Sequence, residues 1–227
     1  AGHDIGDKLA VVWGHREDLS VLCSLKGRIR ERLLLRGRIL DSSSMSHDAM
    51  KHFALELIKF QPKTILAYAN AMFLFARFCR EHRITGIRPE AIITSAEVLH
   101  DHERAEIEGT FLCRVFNRYG CREVSVIASE CEEHTGMHIN ADALYVEFMK
   151  DNGEPAKKGE IGDIIITDLY NFGMPFIRYR IEDMGSPLDE ICPSGRGLPM
   201  MDMVAGRVTD FLLTPEGKRI SGAALTI

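Results

Sequence analysis

Long apolar runs are missing from this chain of 227 residues, and no uninterrupted stretch is long enough to span a bilayer, so no membrane partner is expected. Its start, Ala1-Gly2-His3-Asp4, lacks the charged and then apolar pattern of a signal peptide. Positive charge is not in excess either. Lys plus Arg is 28 against 33 for Asp plus Glu, and the resulting formal charge of −5 leaves no basic field for nucleic acid. Cysteine is sparse: Cys23, Cys79, Cys113, Cys121, Cys131 and Cys192 are scattered without the density of a small secreted scaffold, so reduced thiols and a cytoplasmic location are expected. There is no internal repeat, no low-complexity tract and no Walker-type Gly-x-x-x-x-Gly-Lys-Ser/Thr pattern. An initiator methionine is also absent, which reads as a piece cut from a longer chain.

What is present suits a globular protein. At 45% hydrophobic the chain can bury a substantial core, as one large or two small domains. Lys8 to Trp13 and Lys63 to Tyr68 read as short buried strands alternating with helices. The serine cluster Ser42 to Ser46 leads into a segment that puts Met50, Phe53, Ala54, Leu57 and Ile58 on one helical face and ends before Pro62. A serine there is expected to cap the helix, contributing about 1 kcal/mol. Further helices are expected over Ala71 to Glu81 and Asp101 to Phe111, and a strand over Arg114 to Arg118, leaving Tyr119 at the strand end.

Alternating strands and helices argue for an α/β fold, a parallel or mixed sheet covered by helices, over residues 1–123. Residues 124–227 change character. Short runs at Ala143 to Phe148, Asp163 to Thr167, Phe176 to Arg180 and Arg207 to Leu213 are separated by turn clusters such as Asp151-Asn152-Gly153 and Pro215-Glu216-Gly217. This second region reads as a small β-rich subdomain, a distorted barrel, with an exposed hairpin loop from Lys150 to Gly159.

Three segments carry the chemistry: Tyr119-Gly120-Cys121-Arg122-Glu123, Pro175 to Asp183, and Gly206 to Asp210. Tyr119 beside a glycine offers a flat face for a purine ring. Asp183 can accept hydrogen bonds from the two hydroxyls of a ribose. Glu123 is the kind of oxygen ligand that magnesium takes alongside phosphate, and Arg207 can offset charge developing on an α-phosphate. Taken singly, each also reads as a core aromatic, a turn residue or a surface charge.

With Thr94-Ser95-Ala96-Glu97 after Ala91-Ile92-Ile93, and Gly159 to Thr167 between the later segments, this order of motifs resembles the adenylate-forming superfamily, most closely the phenylacetate-CoA ligase and capsule-biosynthesis branch. The resemblance is strongest from Ala91 to Ile220. It implies ATP-dependent activation of an organic acid as acyl-adenylate and transfer to CoA. Glu123 and Arg207 would be catalytic, with Glu123 on Mg2+. Glu97, Tyr119, Gly120, Asp183 and Arg207 would bind ATP or AMP, and Tyr68, Ala69 and Asn70 would border the acid pocket. The alanines there equally permit close packing of helix on sheet.

Thr209 falls at the family's interdomain hinge, usually an aspartate, and Ile181 and Glu182 replace the threonine and small residue common before the ribose-binding aspartate. The family's Ser/Thr/Gly-rich phosphate loop and its small mobile domain have no counterpart in this sequence, so the chain taken alone is expected not to complete the reaction. Two other readings stand beside the CoA ligase. One passes the acyl group to an amine, a sugar or a carrier protein; the other is a non-catalytic binding module.

Cys131, His134, His138 and Cys192 offer thiolate and imidazole ligands suited to zinc. Some members of the resembling branch have a cysteine pair in the second segment, where Ser194 stands here, so a four-ligand site would need both histidines. The other reading is that the two cysteines are unrelated loop residues.

Overall fold

A computed structural model describes residues 4, 6–14, 37–202, 204, 206–207, 211–213 and 219–221, with only the backbone described from residue 207 onward. The chain divides into two compact units, Ala1–Asn117 and Arg118–Ile227.

In the first unit, β1 (Leu9–Trp13), β2 (Gly37–Asp41), β3 (Thr64–Tyr68) and β4 (Ala91–Ser95) form a parallel arrangement in the order β2-β1-β3-β4. Three helices follow the last three of these strands: α1 (His47–Phe60), α2 (Ala69–Glu81) and α3 (Asp101–Phe111). Strands buried on both faces need nearly continuous apolar sequence, and the runs Thr64 to Tyr68 and Ala91 to Ser95 supply it. The core is built from α1 residues Met50, Phe53, Ala54 and Leu57, α2 residues Met72, Phe75 and Ala76, and strand residues such as Ile65 and Ile92. Ile58 packs at its margin.

Ser46 caps α1, its hydroxyl accepting from the Ala49 N–H at 3.2 Å, and Gln61 ends the helix in the left-handed region. Helix α2 starts two residues earlier than its apolar spacing indicates, because Ala69 already belongs to the buried face.

Strand β5 (Arg114–Cys121) runs across the boundary between the units. Within the second unit it pairs antiparallel with β6 (Ser125–Glu130), which pairs with β7 (Met137–Ile139). The short β11 (Pro187–Leu188) and β12 (Met200–Met201) extend this side through β7. A separate antiparallel sheet has the order β13-β10-β9-β8, from β8 (Leu144–Met149), β9 (Gly162–Asp168), β10 (Tyr179–Gly185) and β13 (Gly206–Arg207). Residues from both sheets, among them Ile127, Met137, Phe148, Ile164, Ile166 and Met201, share one core. A hairpin of β14 (Phe211–Leu213) and β15 (Arg219–Ser221) follows. The turn residues Pro215, Glu216 and Gly217 lie outside the described residues.

Three strand readings differ from the sequence expectation: the run Arg207 to Leu213 is divided between β13 of the four-stranded sheet and β14 of the hairpin, and two strand boundaries shift. Strand β5 does not stop at Arg118 but continues to Cys121, so Tyr119 lies inside it, next to a register shift between Tyr119 and Gly120. Phe176 to Arg178 are not strand. Arg178 adopts φ 51°, a left-handed backbone that alternation of apolar and polar residues does not reveal, and β10 begins only at Tyr179.

Candidate functional site

Of the residues expected to bind the nucleotide, Tyr119, Gly120, Asp183 and Arg207 belong to the second unit and Glu97 to the first. Gly120 is required where it stands: a Cβ there would lie 2.2 Å from the Ser125 carbonyl oxygen, so only glycine lets β5 and β6 close on each other at the shift. That irregularity presents Tyr119, half-buried against the unit's core, toward β10. The Tyr119 hydroxyl donates to Asp183 Oδ2 at 2.7 Å, across 64 residues of sequence.

Strand β10 is itself irregular. Its register with β9 shifts between Arg180 and Met184, and Glu182 adopts φ 63° inside the shift. Asp183 then pairs through its backbone with Arg207 of β13. The register brings Arg207 to Asp183 along the chain, while its side chain, and Thr209 altogether, lie outside the described residues.

Glu123 sits in the turn after β5, exposed, and its Oε1 accepts from the Tyr179 hydroxyl at 3.3 Å. The Glu123 carboxylate beside it, and then burial, raise the Tyr179 pKa, so this phenol stays a donor at neutral pH. Tyr179 is a residue that sequence reasoning passed over, although it lies in the same segment as Asp183. Its ring also packs on Phe176, with centroids 4.8 Å apart. The set Tyr119, Glu123, Tyr179 and Asp183 thus comprises two phenols, each hydrogen-bonded to a different carboxylate. Such a group can take a planar base, hydroxyl donors and a hard cation.

Tyr68, Ala69 and Asn70, expected to border an acid pocket, lie in the first unit at the carboxyl ends of β3 and β4, where Tyr68 pairs with Ser95. Open α/β sheets place ligands at this edge. Ala69 is fully buried in the core, Asn70 is exposed, and Tyr68 packs on Trp13 with ring centroids 4.2 Å apart and the rings tilted by 37°. Tyr68 itself provides no side-chain cap for α2. Glu97 does so from a distance, its Oε2 accepting from the Asn70 N–H at 2.8 Å. A carboxylate at this end of a helix is favoured by the helix dipole as well as the hydrogen bond. Ala96, just before it, is held at φ 69°.

The metal-type residues form a third group, again in the second unit. Cys131, His138 and Cys192 are all buried, and their ligand atoms lie within 4.8 Å of one another. The two sulfurs are 3.5 Å apart, and Ser194 Oγ donates to Cys192 Sγ at 3.1 Å. That hydroxyl is the leading cause of a lowered Cys192 pKa. Burial, followed by the charge of Arg196, lowers the pKa of His138 and keeps the ring neutral. His134 does not join this group. Its Nδ1 lies 3.2 Å from Glu130 Oε2, four residues back, so the expected four-ligand set reduces to three protein ligands.

No family profile matches the chain. In sequence it is similar to Protein CapK of Staphylococcus aureus, 29% identical over 169 residues, covering 74% of this chain and 36% of that protein. It is also similar to a phenylacetate-coenzyme A ligase of Thermus thermophilus, 30% identical over 142 residues, covering 59% and 32%. Among solved structures, a 2-hydroxyisobutyryl-CoA ligase in the postadenylation state superposes with a TM-score of 0.77 at 20% identity, over 97% of this chain and 47% of that one. The chain therefore spans about a third of the length of these curated relatives. The chain is thus similar in sequence to CapK and to phenylacetate-CoA ligases over part of their length, and it shares the fold of the solved 2-hydroxyisobutyryl-CoA ligase.

Proposed function

We propose that this relative of the phenylacetate-CoA ligases contributes the nucleoside-binding side of an acid-activating enzyme. In that reaction a carboxylate oxygen attacks the α-phosphorus of ATP, pyrophosphate leaves, and the acyl-adenylate forms. The thiol of CoA then attacks the acyl carbon, AMP leaves, and the thiol proton passes to solvent. The reading is carried by the Tyr119 to Asp183 hydrogen bond, which joins an aromatic face to a carboxylate suited to ribose hydroxyls.

In this reading Tyr119 stacks on adenine, Gly120 permits the strand closure that positions Tyr119, and Asp183 accepts from the ribose. Arg207, whose backbone pairs with that of Asp183, is assigned to the α-phosphate. Glu97 stays on the α2 N-terminus and fixes the start of the helix beside Tyr68, Ala69 and Asn70, which border the organic acid. Thr209 marks the hinge. An exposed carboxylate such as Glu123 fits a magnesium ion, which prefers oxygen ligands, and the ion when bound would neutralise phosphate charge. Zinc at Cys131, His138 and Cys192 would be structural and outside this chemistry. A protein drawing on ATP, Mg2+ and CoA belongs in the cytoplasm, and no described helix is long and apolar enough to cross a membrane.

Calorimetry with AMP tests the reading. The full chain should bind AMP, and Asp183→Ala should weaken binding at least tenfold, equivalent to about 1.4 kcal/mol. Tyr119→Phe, which keeps the ring and removes the hydroxyl, should lose less. Binding that is unaltered in Asp183→Ala would sink the assignment. Acid-dependent AMP release with and without CoA, measured in a protein that contains this chain, would then identify the acceptor.

A further inference from the structure

The buried group in the second unit supports a conclusion independent of the nucleotide reading. Its three members come from separate places: Cys131 follows β6, His138 is the middle residue of β7, and Cys192 lies in the loop between β11 and β12. They are 5%, 6% and 3% exposed, respectively. Neither ring nitrogen of His138 makes a hydrogen bond of ordinary geometry among the described residues, and the nearby Leu198 backbone could serve only one of the two, so a buried ring nitrogen is left to bind something else. The cysteines are free thiols whose sulfurs stand 3.5 Å apart. A disulfide needs about 2.05 Å. Two thiolates bound tetrahedrally at about 2.3 Å from one zinc ion lie about 3.8 Å apart, close to the separation here.

We infer that Cys131, His138 and Cys192 hold one zinc ion with three protein ligands, and that an ordered water occupies the fourth position. Ser194 stands where a further thiolate would complete a closed site, but its hydroxyl is turned to Cys192 as a hydrogen-bond donor. His134 is held by Glu130 instead. Binding converts two S–H groups to thiolates and releases two protons to solvent, with no change of oxidation state. Zn2+ with two thiolates and a neutral imidazole is uncharged overall, which suits the apolar surroundings supplied by Met200 and Leu188. The ion ties the loop carrying Cys192 to the β6 and β7 turn, where two-residue strands offer few backbone hydrogen bonds of their own.

The test uses the full chain, produced without a histidine tag and purified without chelator, with elemental analysis, chelator competition and cobalt substitution as readouts. About one zinc per chain is expected, along with a tetrahedral Co2+ spectrum carrying sulfur charge-transfer bands. His138→Ala and Cys192→Ala should each lose at least tenfold in zinc affinity, while His134→Ala and Ser194→Ala should stay within about threefold of the parent. Ser194→Cys should add a third sulfur, raising the charge-transfer intensity by about half and the affinity at least tenfold. If a cysteine variant fails to fold, the cobalt spectrum of the parent and the His134 and Ser194 variants still decide the matter. A parent without zinc, a Cys131–Cys192 disulfide, loss of metal in His134→Ala or Ser194→Ala, or an unchanged spectrum in Ser194→Cys would overturn the assignment. None of these outcomes depends on AMP binding.

Discussion

The two units use left-handed backbone for opposite purposes. In the first unit, Gln61, Arg83 and Leu112 take positive φ at or just past the ends of α1, α2 and α3, where that conformation stops a helix and satisfies its last carbonyls. Ala96, beside Glu97, is the exception among the described residues of that unit. In the second unit, Ser125, Arg178 and Glu182 take positive φ around the strand irregularities that aim Tyr119, Tyr179 and Asp183, and His134, in the turn between β6 and β7, is the exception. Non-glycine residues in this region cost about 1 kcal/mol or more each. The first unit incurs that cost to end regular elements, and the second incurs it to break them where side chains must converge.

Restoring regularity in the second unit should therefore do the most damage. In Gly120→Ala, the new methyl meets the Ser125 carbonyl at 2.2 Å, and backbone on both strands must move. We expect a loss of about 3 kcal/mol in denaturant unfolding, with faster hydrogen exchange over residues 118–130. A variant within 0.5 kcal/mol of the parent, roughly the tolerance of an ordinary surface site, would show that the shift is not held by this close approach.

That contrast also explains what was legible in the sequence. The helices of the first unit could be read because their signals are local: Ser46 ahead of an apolar face, Pro62 just past its end, and a 3.6-residue spacing through Phe53 and Leu57. The identities of Tyr119, Glu123 and Asp183 were legible as motifs. Their irregular strands were not, since period-two alternation runs through Ile177 to Arg180 whether or not Arg178 is left-handed. Tyr179 was missed because its partner, Glu123, is 56 residues away. The choice between His134 and His138 was equally hidden. It depends on Glu130 capturing the first and on β7 burying the second, and ligand spacing alone records neither.

A second test concerns the core of the first unit. Burial pushes the Cys79 thiol up from about 9 to about 12, so the folded protein keeps it protonated while the unfolded chain ionises it above pH 9. A raised folded pKa contributes stability that is intact below pH 9 and is lost between pH 9 and 12, at about 1.4 kcal/mol per pH unit. Comparing unfolding of the parent and Cys79→Ala at pH 8 and pH 10 isolates this term. The parent should lose stability faster by about that amount, and parallel pH profiles would mean that the thiol is not desolvated.

The smallest effect is expected where the first unit is already regular. Gly109 lies on the exposed side of α3, and a Cβ there meets nothing within 4 Å. Nothing about its position calls for glycine: its φ is not in the left-handed region, and no ligand-type residue depends on it. Gly109→Ala should thus stabilise the protein by slightly under 1 kcal/mol, roughly the helix-propensity difference, and raise Tm by about 2–4 °C. Placed beside Gly120→Ala, the same chemical change has the opposite sign. At Gly109 the added methyl only narrows the unfolded ensemble, whereas at Gly120 it blocks the approach of two strands. If both substitutions destabilised, the helix would be using Gly109 for packing that its open surroundings do not reveal, and the contrast between a regular unit and a deliberately broken one would lose its clearest instance.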